Sequence, residues 1–237
     1  NAVYAIALQL KNSILSFAMN VYKAVSPQIT KTYASGEMEH HKMLVYMGSK
    51  MAVYMLYLIF FPFLFQTDYI MHLWLGKVPP YTVEFAQAMV FVSLTYAAFE
   101  PIRSAVLATN RITKFMLVPD SFYLLVLPLG YFVAKIGDNP ILLIITIVTF
   151  DMLTCVVRVC YAVKYTVLTF RELYCQFLRP VVLLSLGAGL LQWGLSILDV
   201  SNLVLLIISI ISNALFILSF VLLVEKKILK TIVETIG

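Results

Sequence analysis

The sequence predicts an all-α, polytopic transmembrane bundle of about seven spanning helices. Residues of the class AVILMFWYC make up 62% of the chain and charged residues only 12%. Soluble domains sit near 45–50% apolar and about 25% charged. A water-soluble fold has no place for that apolar excess, whereas a bilayer does. The apolar residues fall into runs long enough to cross a membrane, which takes about 20 residues. Basic residues concentrate at alternate joints between the runs, as a membrane topology requires.

The runs lie at 3–29, 44–65, 84–108, 114–134, 140–163, 180–198 and 202–224. The first is longer and more polar than the others. Shorter amphipathic pieces at 68–75 and 165–178 are expected to lie along the interface. Turn chemistry marks the joints: Ala34-Ser35-Gly36, Val78-Pro79-Pro80, Gly137-Asp138-Asn139-Pro140 and Leu198-Asp199-Val200-Ser201-Asn202. No low-complexity linker or short repeat interrupts the chain. It opens at Asn1 inside a helical run, with no basic n-region or cleavage site, so further protein is expected upstream. Cys155, Cys160 and Cys175 form no CxxC pair and read as buried small apolar residues.

Lys31, Lys42, Arg111, Lys114, Lys164, Arg171, Arg179, Lys226, Lys227 and Lys230 fall on one side, and only Lys77 and Lys135 on the other. The positive-inside rule makes the first side cytoplasmic, with Asn1 outside and Gly237 inside. Trp74 and Trp193 then sit near outer ends of spans, as interfacial anchors do.

Polar residues within spans are costly and mark packing or a wet cavity. On the first span, Gln9, Asn12, Ser13, Ser16, Asn20, Lys23 and Pro27 recur at spacings of three and four. They form a stripe within about 100° of the helix circumference. It is either a packing face or the lining of a water-filled lumen. Lys11 points the other way and needs a separate partner. The third span carries Ser93, Tyr96, Glu100, Arg103 and Asn110 on one face, with Glu100 and Arg103 close enough to pair and Pro101 inviting a kink. The fifth places Asp151, Thr154, Cys155, Arg158 and Tyr161 together; Asp151 and Arg158 are too far apart for a tight pair, and Arg158 can snorkel. On the second, Tyr46, Lys50, Tyr54 and Tyr57 share a side, either as packing with a snorkelling Lys50 or as a face for stacking on sugars. The last two spans hold almost no ionisable group. Gly187, Gly189, Gly194, Ser209, Ser212 and Asn213 read there as close-packing positions, peripheral to a lumen.

His40, His41 and His72 lack metal-ligand spacing, and no P-loop, GxSxG or HExxH motif is present. No cofactor or metal is expected, and no nucleic acid. Lys226-Lys227 suits anionic lipid headgroups.

Three stretches resemble a known family. Ala24-Val25-Ser26-Pro27-Gln28-Ile29-Thr30-Lys31-Thr32-Tyr33-Ala34-Ser35-Gly36 is similar to the end of a lumen-lining helix and its loop. His72-Leu73-Trp74-Leu75-Gly76-Lys77-Val78-Pro79-Pro80-Tyr81 resembles an outer loop. Ala108-Thr109-Asn110-Arg111-Ile112-Thr113-Lys114 resembles the next cytoplasmic turn. In order, they resemble the Wzx-type O-antigen and capsule polysaccharide flippases of the multidrug/oligosaccharidyl-lipid/polysaccharide (MOP, MATE-like) exporter superfamily. The resemblance covers roughly 1–165, which it implies is most of a C-terminal six-helix bundle, with 166–237 supplying an interfacial segment, an extra helix pair and a cytoplasmic tail.

The resemblance implies alternating access in the bacterial cytoplasmic membrane, a missing N-terminal bundle, and an undecaprenyl-pyrophosphate-linked oligosaccharide as cargo. Gln9, Asn12, Ser16, Asn20, Lys23, Tyr96, Glu100, Arg103, Asp151 and Arg158 are the implied lumen candidates, with Lys23, Arg103 and Arg158 as cations for the pyrophosphate. A MATE-type drug/cation antiporter would use Glu100 and Asp151 instead. A membrane-embedded polysaccharide polymerase or glycosyltransferase is a third class. The short outer loops speak against it, so no enzyme is expected.

Overall fold

The computed structural model describes residues 2–137 and 139–225, apart from the side chains of Ile112, Lys114, Ala134 and Ile136. The readings placed on Asn1, Asp138, Lys226, Lys227, Lys230 and Gly237, and on the Lys114 side chain, lie outside the described residues. The helices are α1 (Ala2–Ala34), α2 (Met38–Phe65), α3 (Thr67–Leu75), α4 (Thr82–Ala108), α5 (Ile112–Leu124), α6 (Val126–Ile136), α7 (Ile141–Tyr165), α8 (Phe170–Glu172), α9 (Arg179–Ser196) and α10 (Asn202–Val224). A π-helical turn, Leu173–Leu178, joins α8 to α9. No strand occurs among the described residues. Seven helical segments are long and apolar enough to span a bilayer, so the chain is an all-α, polytopic membrane bundle.

Local chemistry explains most boundaries. Gly36 and Gly76 take left-handed backbone angles at the ends of α1 and α3 (φ 79° and 70°), which cost glycine nothing. Asn110 does the same after α4 (φ 59°); asparagine tolerates that region better than most residues. The α5–α6 break falls at Leu125. Pro128 supplies no N–H for the Leu124 carbonyl and its ring crowds that oxygen. Pro27, Pro62 and Pro101 lie inside helices that continue through them. The segment 165–178, expected along the interface, is largely helical, and Phe170–Ser196 is continuous and long enough to span. His41, expected in a loop, is buried in the first turn of α2, where its Nδ1 donates to the Ile29 carbonyl at 2.9 Å.

α2 is the most buried span. α1 and α4 lie against it and against each other; α7 packs on the far side of α4, and α5 and α6 on α7. Small residues let these helices approach. Gly48 of α2 fits where an added Cβ would stand 3.2 Å from Val25 Cγ1 of α1 and 3.4 Å from Pro101 of α4. Outward faces carry Leu127, Leu190, Trp193 and Leu223, all exposed. A soluble protein rarely exposes that much contiguous apolar surface. Trp74 is exposed as well.

α9 and α10 attach to α2 through a polar seam. Lys50 Nζ lies 2.6 Å from Glu225 Oε2, both side chains about a tenth exposed. The Tyr54 hydroxyl donates to Glu225 Oε1 at 3.2 Å. Tyr57 OH lies 2.6 Å from Ser185 Oγ, and Tyr46 OH donates to Glu172 at 3.3 Å. Asn213 Nδ2 donates to the Tyr57 carbonyl, and Gln66 and Gln192 both donate to Ser209. Lys50 therefore does not snorkel. The tyrosine face of α2 is taken up by the C-terminal helices and is not free to stack on a sugar. Gly187 admits the Phe216 ring and Gly189 faces Phe61, whereas Gly194 has nothing within 4 Å and is no packing site. Ser212 bonds only its own helix.

Removing one partner of a buried pair strands the other charge and costs about 3–5 kcal/mol, while an apolar replacement of both is close to neutral. Glu225→Gln and Lys50→Met should each lower the melting temperature of the detergent-solubilised protein. The double variant Lys50→Met/Glu225→Met should recover most of the loss. Additive losses in the double variant would show that the two side chains are not coupled.

Candidate functional site

α1 presents two opposite faces. Ala7, Ile14, Ala18 and Ile29 are buried against the bundle. Gln9, Asn12, Ser13, Ser16, Asn20, Lys23 and Pro27 are all exposed on the other side. Ser16 bonds the Ser13 carbonyl of its own helix. Gln9, Asn12, Asn20 and Lys23 have no side-chain hydrogen bond among the described residues. The stripe is therefore not a packing face within this bundle. Hydrocarbon against it would leave amides and an ammonium unsolvated, so it needs water or further protein.

The flank of the stripe continues onto α4. Ser104 of α4 donates to Tyr22 OH at 3.1 Å and lies 3.0 Å from Ser26 Oγ, both on α1. Lys11 shares the buried face of α1, four residues after Ala7, and its ammonium stands 4.2 Å from the centre of the Tyr96 ring. Its partner is thus an aromatic face of this same chain. It also lies within electrostatic range of Asp151.

Beyond Tyr96, a cavity of about 400 Å³ opens between α4, α5 and α7. Its polar lining is Tyr96, Asp120, Ser121, Tyr123, Asp151, Thr154 and Arg158; Met116, Leu117 and Leu124 complete it. Asp151 is buried and accepts a hydrogen bond from Thr95 Oγ1 at 2.6 Å through one oxygen. Arg158 donates to Asp120 Oδ1 of α5 at 2.9 Å. It is therefore bridged to α5 and does not snorkel. The buried Thr154 hydroxyl has no partner among the described residues.

The structure thus gathers Tyr96, Asp151 and Arg158 around one cavity. Glu100 and Arg103 pair with each other at 3.1 Å, one and two turns along α4 from Tyr96 and outside the cavity lining. Gln9, Asn12, Ser16, Asn20 and Lys23 form the separate face of α1. Ser93 and Cys155 are buried, while Cys160 and Cys175 are exposed, against expectation. Sequence reasoning missed Asp120, Tyr123 and Thr95. The signal was available for Asp120: Pro119-Asp120-Ser121 places an acid inside an apolar span.

Comparison with known proteins adds no relative: no family model, no curated protein and no solved structure matches the chain. Fold and site define the class, a multi-pass helical membrane protein with a polar outer face on α1 and a polar cavity among its spans.

The hydration of the α1 stripe is directly testable. With the native cysteines replaced by alanine, Asn12→Cys, Ser16→Cys and Asn20→Cys should react rapidly with a membrane-impermeant maleimide in proteoliposomes. Leu153→Cys and Leu190→Cys on exposed apolar faces should stay unlabelled. Protection of all three stripe positions would show that protein or lipid covers them.

Proposed function

We propose that the chain is part of a flippase that moves a lipid-linked oligosaccharide across the bacterial cytoplasmic membrane by alternating access. The observation that carries this reading is the exposed polar face of α1, which stands beside a separate polar cavity between α4, α5 and α7 in the same bundle. A glycolipid cargo has a large polar head and apolar tails. The head needs a hydrated path of protein hydroxyls, amides and charges, while the tails remain in hydrocarbon. The resemblance of the stretches 24–36, 72–81 and 108–114 to Wzx-type flippases supports the same reading. Lys31, Lys42, Arg111, Lys164, Arg171 and Arg179 lie at the same set of alternate joints, and the positive-inside rule supports a cytoplasmic position for that end.

A pyrophosphate requires cations not already neutralised. Arg103 is paired with Glu100 and Arg158 with Asp120. Lys23 has no carboxylate partner among the described residues and stands on the α1 stripe, which makes it the candidate contact for the anionic headgroup. The competing reading, a drug/cation antiporter, draws on the buried carboxylate of Asp151. Lys11 and Arg158 beside Asp151 disfavour a cationic cargo there.

The test is translocation of an undecaprenyl-pyrophosphate-linked oligosaccharide by the full-length protein in liposomes, with ethidium as a competing cargo. Oligosaccharide movement without dye movement is expected. Lys23→Gln should slow it at least tenfold at unchanged protein level. Ion-driven dye efflux without glycolipid movement would replace this reading with the antiporter.

A further inference from the structure

We infer that the cavity between α4, α5 and α7 is a subsite for an uncharged sugar residue of the cargo, distinct from the contact that holds the pyrophosphate. This assignment rests on the flippase reading and deepens it. Two carboxylates and two cations, Asp120, Asp151, Arg158 and Lys11, stand at or beside the cavity. Arg158 is paired with Asp120, and Lys11, whose ammonium stands over the Tyr96 ring, attracts Asp151 electrostatically. An ionic ligand entering this space would bring a charge with no free counterpart, at a large desolvation cost. A neutral polyol brings none.

The groups left over suit hydroxyls. Thr154 lines the cavity, is 2% exposed, and its buried hydroxyl has no partner among the described residues. Among the described residues, one carboxylate oxygen of Asp151 is engaged, by Thr95. Arg158 makes one hydrogen bond among the described residues and a guanidinium has five donors. Tyr123 supplies a further hydroxyl and an aromatic surface. Sugars are recognised by such a mixture of bidentate acceptors, donors and an apolar ring face. The volume of about 400 Å³ falls within the usual range of about 300–1,000 Å³ for small-molecule sites.

The test uses the full-length protein in nanodiscs and the soluble repeat-unit oligosaccharide released from the host's own surface polysaccharide. Binding is read by saturation-transfer NMR and calorimetry, with inorganic pyrophosphate and ethidium as further probes. Thr154→Val, which keeps shape and removes the hydroxyl, should weaken oligosaccharide binding at least tenfold. Thr154→Ser should restore it, and pyrophosphate binding should not change in either variant. Wild-type oligosaccharide affinity in Thr154→Val overturns the subsite. So does a site that takes ethidium in an Asp151-dependent way and no oligosaccharide. If Thr154→Val binds normally and the protein still translocates the glycolipid, the subsite falls and the flippase stands. If the unmodified protein neither binds the oligosaccharide nor moves the glycolipid, both fall.

Discussion

Every polar group inside the hydrocarbon zone must find its partner within the protein or in water, and the architecture follows from that requirement. Lipid tails are as apolar as leucine, so the hydrophobic effect does little to choose which helices touch. Close approach of small residues and polar bonds between helices must choose instead. The seam on α2 shows this. Along α2 and its C-cap, Lys50 and Tyr54 both meet Glu225, Tyr57 meets Ser185 through its hydroxyl and Asn213 through its carbonyl, and Gln66 meets Ser209, all from the C-terminal segments. The Glu225 carboxylate sits at the C-terminal end of α10, where the helix dipole disfavours it. Lys50 and Tyr54 offset that disadvantage.

The same requirement separates two kinds of intramembrane charge. Glu100–Arg103, Arg158–Asp120 and Lys50–Glu225 are paired within the chain, the last of them buried. Their first task is structural, tying a turn of α4 to itself, α7 to α5, and α10 to α2. Lys23 and the amides of the α1 stripe are not neutralised among the described residues. A polar surface that the bundle leaves open needs water or further protein against it. The cavity behind Tyr96 lies between these extremes, with charges of both signs and a buried hydroxyl without a partner among the described residues.

Much of the architecture was legible in the chain. Six of the spans fall within a few residues of their predicted runs, because a continuous apolar run of membrane length has only one low-energy conformation in a bilayer. The Glu100–Arg103 pair was legible too, since three residues on a helix are neighbours whatever surrounds them. Partnerships across helices were not. Lys11 stood opposite the α1 stripe with no visible partner until α4 brought Tyr96 beneath it. Arg158 looked free to snorkel until α5, packed on α7, brought Asp120 within 2.9 Å. Lys50 looked solvent-seeking because Glu225 lies 175 residues further on.

By itself the sequence determined the class of protein, the number of its spans, the polar stripe on α1 and the uneven charge of the two ends. These depend on composition and on the 3.6-residue period, which are properties of one segment at a time. Only the tertiary structure decided which polar residues are spent on holding helices together and which remain available. That distinction rests on distances between segments far apart in sequence, and helical periodicity carries no information about them.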